Sequence, residues 1–104
     1  MSEQAVARIG DTGEGTCSLH PGNRIVTFDS GSSTTKADSV AILRIGDTGV
    51  TDCGGVTIAT TGSSAVKADD IFVHRVGDVG NILHDDVIRG TYTVTTGSPN
   101  FKAA

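Results

Sequence analysis

The chain of 104 residues contains no Trp, one Tyr, three Phe and three Leu. Large apolar side chains are therefore scarce. A domain of this size buries a modest fraction of its surface, and an added cross-link such as a metal ion compensates for a thin core. Proline occurs twice and methionine once. The two cysteines are too few for the disulfide framework of a small secreted domain. The opening residues "MSEQAVAR" show no charged-then-apolar leader pattern, so no secretion signal is expected. In that setting two cysteines are more often metal ligands or free thiols than a disulfide. No apolar run approaches the ~20 residues of a membrane-spanning helix. Basic clusters are missing too. The eight Lys and Arg are scattered and the formal net charge is −4, which argues against a nucleic-acid partner.

What is abundant points to strands and tight turns. There are 14 Gly, 14 Thr and 9 Ser, and Val and Ile together number 19. β-branched residues favour the pleated sheet, and glycine serves the turns between strands. The expected fold is all-β, in a single domain spanning 1–104.

One hexapeptide organises the chain. "RIGDTG" begins at Arg8 and again at Arg44, and "RVGDVG" begins at Arg75. Asp11 and Asp47 are 36 positions apart, and Asp47 and Asp78 are 31 apart. Such periods call for a repeat reading first. A second landmark keeps the register: "GSSTTKADSVAILRIGD" runs from Gly31 to Asp47 and "GSSAVKADDIFVHRVGD" from Gly62 to Asp78, each spanning 16 positions. A third copy starts as "GSPNFKAA" at Gly97, and its other half lies at the opposite end, in "SEQAVARIGD". Joining Ala104 to Met1 in imagination puts Gly97 and Asp11 18 positions apart. The expectation is a closed ring of three repeats, roughly 5–38, 39–69 and 70–104, with the two termini completing one unit.

Each repeat reads as strand, turn, strand. "AVARI", "AILRI" and "FVHRV" form one set of β-rich runs, and "RIVTF", "GVTIAT" and "TYTVTT" the other. Asp11, Asp47 and Asp78 are expected to bond their own downstream amides in Asx turns. Arg8, Arg44 and Arg75 are expected to pair with a neighbouring repeat's carboxylate. The hexapeptide is thus framework. A phosphate-cradling loop is the rival reading. It fails on the missing Lys-Ser/Thr and on the missing helix pattern.

The chemistry lies six positions past each anchor aspartate, at Cys17, Cys53 and His84. All three are soft or borderline metal ligands, and a closed ring brings equivalent positions together around its axis. Three ligands on one axis define three corners of a tetrahedron. His20, three positions after Cys17 in "CSLHPG", is the expected fourth. The stretch from Asp11 to Gly31 spans 20 positions, against 15 and 19 in the other repeats, which leaves room for it. The set Cys17, His20, Cys53, His84 is closed, as in a structural zinc site; iron is the lesser possibility. A closed set leaves no open position for a hydrolytic water, so no enzyme activity is expected. His74 occupies the place of Ala7 and Leu43 and is assigned to packing or surface. Cys53→Ser is accordingly expected to cost far more stability than His74→Ala. Asp52, Asp85 and Asp86 read as solvated loop charges.

Three "R-[I/V]-G-D" units, "GSS" or "GSP" turns upstream, and a Cys or His in each following loop resemble the PAAR-repeat proteins. "TDCGG" and "TTGSPN" add to the likeness, while "AVAR", "AILR" and "FVHR" lack the proline of the family's naming tetrapeptide. The resemblance covers essentially the whole chain. It implies a small cone of pseudo-threefold symmetry, with zinc near the apex. Such a monomer caps the trimeric β-helical central spike of a contractile phage tail, or of a bacterial type VI secretion system. It would bind the spike by its broad base and sharpen it for piercing a target cell membrane. The implied location is the tail tip of a virion, after assembly in the bacterial cytoplasm, or, for a type VI tip, secretion. A free-standing zinc-binding adaptor is the alternative from another class.

Overall fold

The computed structural model describes residues 3–104, which hold twelve strands and no helix. In chain order these are β1 (Gln4–Ala5), β2 (Thr12–Cys17), β3 (His20–Phe28), β4 (Lys36–Ala37), β5 (Val40–Ala41), β6 (Thr48–Thr51), β7 (Val56–Ala59), β8 (Lys67–Ala68), β9 (Ile71–Phe72), β10 (Val79–His84), β11 (Val87–Val94) and β12 (Lys102–Ala103). The all-β expectation holds. Three hairpins, β2–β3, β6–β7 and β10–β11, join edge to edge into a closed six-stranded antiparallel barrel. Closure removes the exposed edges that an open sheet of this size would carry.

Below the barrel lie three two-stranded ladders, β4–β5, β8–β9 and β1–β12. Lys36 faces Ala41, Lys67 faces Phe72 and Lys102 faces Ala5, so the three share one register. The first strand of the chain therefore pairs with the last as the internal ladders pair with themselves. The turns of the internal ladders are Asp38-Ser39 and Asp69-Asp70, all four residues at positive φ. Two consecutive left-handed residues make the type I′ turn whose twist suits a two-residue hairpin, and Asp tolerates that conformation better than most side chains. The runs containing "AVAR", "AILR" and "FVHR" are not long strands. They touch one another by single bridges, Val6–Arg75, Arg8–Ile42 and Arg44–Val73, which close a triangle of backbone between ladders and barrel.

The Arg-Ile-Gly-Asp and Arg-Val-Gly-Asp corners differ from the Asx expectation. Asp11, Asp47 and Asp78 accept from the amides of Arg8, Arg44 and Arg75, three residues upstream, at 2.9 Å each. The same carboxylates take the guanidinium Nε at 2.8–2.9 Å. The aspartate thus locks the turn backwards onto its own arginine, while Gly10, Gly46 and Gly77, at φ near +92, supply the left-handed residue between them. Arg8 and Arg44 also reach a neighbouring turn, at Asp38 and Asp69, 3.0 Å away in each case.

The interior is built in rows of three equivalent side chains. Ala7, Leu43 and His74 form one row; Phe28, Ala59 and Val94 the next; Val26, Thr57 and Tyr92 a third; all nine are buried. Each row mixes small and large, and the sizes are staggered, so the rows interlock on a narrow axis. Gly13, Gly49 and Gly80 face the third row. A Cβ on Gly80 would stand 2.3 Å from the Tyr92 ring, so the tyrosine occupies the space that a side chain there would need.

His74 has no exposed surface. Its Nδ1–H donates to the Thr61 carbonyl at 2.6 Å, and its Nε2 accepts from the Tyr92 hydroxyl at 3.0 Å. That pairing suits the neutral ring, which full burial favours. It also revises the expectation that His74→Ala is mild, because truncation would open the core and leave the Tyr92 hydroxyl without a partner. Burial pushes the His74 pKa below its ordinary 6.5. The unfolded chain then binds the proton more readily than the folded one. Stability therefore falls as pH drops below 6.5, by at most about 1.4 kcal/mol per pH unit from this residue, and is untouched by it above. Urea unfolding at pH 7.5 and 5.5 should show a larger acid loss in the wild type than in His74→Leu. The His74 imidazole should take up its proton at lower pH in the folded chain than in the urea-unfolded chain; the reverse order would contradict the assignment.

Candidate metal centre

The barrel rows continue upward to Gly15, Thr51 and Ile82, and then to Cys17, Cys53 and His84. Inward-facing positions recur every second residue of a strand. Two steps from Gly13, Gly49 and Gly80 thus lead to Gly15, Thr51 and Ile82, and four to the trio named by spacing. The donor atoms of Cys17, Cys53 and His84 lie within 4.8 Å of one another. Only one of the three lies outside a strand. Cys17 ends β2, His84 ends β10, and Cys53 sits in the turn between β6 and β7.

Each position is held by a different local device. Around Cys53, Thr51 N–H donates to the Gly55 carbonyl at 3.0 Å, Gly54 N–H donates to the Thr51 carbonyl at 3.1 Å, and Gly54 has φ +88. The turn closes through a left-handed glycine and lifts the thiol toward the axis. The Thr51 hydroxyl accepts from Gly55 N–H at 2.7 Å and lies 3.2 Å from Cys53 Sγ. The amide takes one of its lone pairs and leaves its hydrogen available to the sulfur. Gly55 itself is constrained: a Cβ there would stand 3.0 Å from His84 Nε2 and 2.9 Å from the Thr51 hydroxyl oxygen. A side chain would crowd the donor nitrogen.

His84 precedes the turn residues Asp85 and Asp86, at φ 54 and 63. They are the exposed loop charges expected, and they form the turn as well. This third type I′ turn was readable from the consecutive aspartates, the same signal as in "KADS" and "KADD". Cys17 faces His20 across the tip of β2–β3, and the next pair down is Thr16 with Asn23. Pro21 and Gly22 are the surplus, bulged out of the ladder, and Gly22 is left-handed at φ +92. The extra length of the first repeat is spent there.

The geometry suits one small ion. A metal with sulfur at about 2.3 Å and imidazole nitrogen at about 2.0–2.1 Å, subtending a tetrahedral angle, separates those donors by about 3.6 Å. Cys53 Sγ and His84 Nε2 are 3.6 Å apart. Both cysteines are free thiols, Cys17 buried and Cys53 half-buried. Two thiols and an imidazole converging from three strands can therefore hold a metal ion. His20 is outside that tight group. Its ring stands beside His84, with centroids 5.2 Å apart and planes tilted by 46°. The neighbouring charge comes from Asp52, half-exposed and 3.9 Å from Arg24.

Comparison of the chain with protein-family models, with curated proteins and with solved structures returned no match. The site thus rests on its own geometry.

With zinc as the probe ion, the purified chain should bind close to one equivalent after dialysis and gain thermal stability on binding. Cys17→Ser, Cys53→Ser and His84→Ala should each lose most of that gain. Total metal analysis with thermal melts checks this. An equal gain in wild type and all three variants would rule the trio out as the ligands.

Proposed function

We propose that this chain is a PAAR-like spike tip: a structural, non-enzymatic cap on the trimeric β-helical spike of a contractile phage tail, pinned by one zinc ion. The observation that carries the reading is the threefold recurrence of ladder, bridge and hairpin, with the Cys17, Cys53 and His84 donors gathered where the three hairpins end. A single chain that repeats three times around an axis can meet a true trimer with no mismatch of symmetry.

In this reading the molecule is a cone. The metal end is its apex and the three ladders are its base. The ladders are two-stranded, so each has an outer edge on which strands from a partner can pair. Val66, Ile71 and Phe101, all exposed, belong to the same end and offer apolar contact. The longest dimension, 35 Å against 27 and 21 Å, accords with a pointed body. The apex has little apolar volume of its own, since the row below the ligands contains Gly15 and Thr51. A metal clasp supplies the missing cohesion there. Zinc suits the thiol and imidazole donors, and His20 completes the closed set of four by turning its ring toward the ion. The tip of a bacterial type VI spike is the same architecture in another machine, and piercing of a target membrane is the action common to both.

The test is association with the C-terminal β-helical trimer of a contractile-tail spike encoded near this chain. Native mass spectrometry should find one chain per three spike subunits, and Phe101→Asp at the base should weaken the complex while Asp86→Ala at the apex should not. Absence of binding would favour a free-standing zinc-binding adaptor instead.

A further inference from the structure

Three corners join the ladders to the barrel, and two of them bind a carboxylate in the same way. At the first, Asp38 receives the Ser98 hydroxyl, Asn100 Nδ2 at 2.7 Å and Arg8 Nη1 at 3.0 Å. At the second, Asp69 receives the hydroxyls of Ser32 and Thr34 and, at 3.0 Å, Arg44 Nη1. The hydrogen-bond donors hold both carboxyls below their usual range, Ser98 and Ser32 foremost. The third corner has the same receiving parts. Ser63 is aimed by the amides of Ala65 and Val66, at 3.0 and 2.8 Å, as Ser32 is by those of Thr34 and Thr35. Arg75 grips Asp78 with Nε and Nη2 as its counterparts grip Asp11 and Asp47. The residue in the place of Asp38 and Asp69 is Ala104, and Ser63 donates to its main-chain oxygen. Arg75 Nη1 meets no carboxylate among the described residues. The side chains of Arg8, Arg44 and Arg75 are equally exposed, at 20%, so differing access to water does not explain the gap.

We propose that the Ser63–Arg75 corner is a carboxylate-binding site, a third copy of the Asp38 and Asp69 sites whose acid is not the side chain at position 104. The charges agree. Arg8 and Arg44 each hold two carboxylates, and Arg75 holds one, so a further acid brings the third corner to the balance of the other two. The outer guanidinium nitrogen recognises the acid as it does at the occupied corners, and the Ser63 proton, held here by the Ala104 main-chain oxygen, already serves the acid when that oxygen belongs to a terminal carboxylate and turns from it to an incoming one otherwise. Asn100 and Thr34 have no counterpart here, since the position is Ala65, which makes the third corner weaker in its grip. Two sources carry this chemistry. A polypeptide ending at Ala104 has its own terminal carboxylate on the carbon that bears that oxygen; otherwise the acid is an Asp or Glu side chain of a docked protein. The proposal is independent of what the chain caps.

The arginine Nε–H resonances, followed by NMR during titration with sodium acetate against sodium chloride at equal ionic strength, test the site. The comparison uses the chain ending at Ala104 and the same chain extended by a neutral Gly-Ser. In the extended chain Arg75 should shift saturably with acetate, while Arg8 and Arg44 stay still. In Ala104→Asp, Arg75 should no longer respond, and melting should move to higher temperature. A response by the extended chain alone assigns the terminal carboxylate as the occupant. A response by both assigns a partner's acid. Silence of Arg75 in both chains, or equal shifts at all three arginines, overturns the proposal.

Discussion

Everything inside the barrel depends on how little room there is on its axis. Three hairpins close around a line, and each inward position shares that line with its two equivalents. Only combinations of small and large side chains fit: Ala7 with Leu43 and His74, Ala59 with Phe28 and Val94, and glycine opposite the Tyr92 ring. The same crowding creates the candidate metal site. Where the row holds Cys17, Cys53 and His84, packing three residues on the axis becomes converging three ligands on a point. The geometry that would waste space on bulky groups gathers donor atoms without any special loop.

Register is the second requirement, and the hexapeptide supplies it. Each aspartate accepts the amide and the guanidinium of the arginine three residues before it, so the turn has one conformation and the following strand starts at a fixed place. Six residues later the inward position is the same in all three hairpins. Partly exposed ion pairs of this kind contribute little each to stability. Their value here is positional, since a slip of one residue would turn every ligand to the outside. The neutral His74, held between the Thr61 carbonyl and the Tyr92 hydroxyl, plays a comparable part in the core, where it and Tyr92 fix one another on the axis.

Much of this was legible in the sequence, because repeats print their geometry as spacing. The all-β class followed from composition, and the offset of Cys17, Cys53 and His84 and the meeting of the first strand with the last followed from aligning three copies. The hairpin arms β2, β6 and β10 did not. "TGEGTC" and "VGNILH" are poor in alternating apolar residues, since their inward faces carry glycine where the axis is tightest, and so they read as loops. The direction of the Asp11 bond was also missed, as a carboxylate can serve amides on either side and only the folded turn decides. His20 was placed by its distance from Cys17, and the bulge at Pro21-Gly22 does bring it opposite that residue. Its approach to the ion depends on a ring orientation that spacing does not encode.

The central claim is that equivalent positions of three hairpins meet at one metal. An anomalous-difference map from crystals of the zinc-loaded chain, collected at the zinc edge, tests it most directly. The account predicts a single peak about 2.3 Å from the sulfurs of Cys17 and Cys53 and about 2.0 Å from His84 Nε2. A peak held by other side chains, or a Cys17–Cys53 disulfide with no ion between the hairpins, would contradict it.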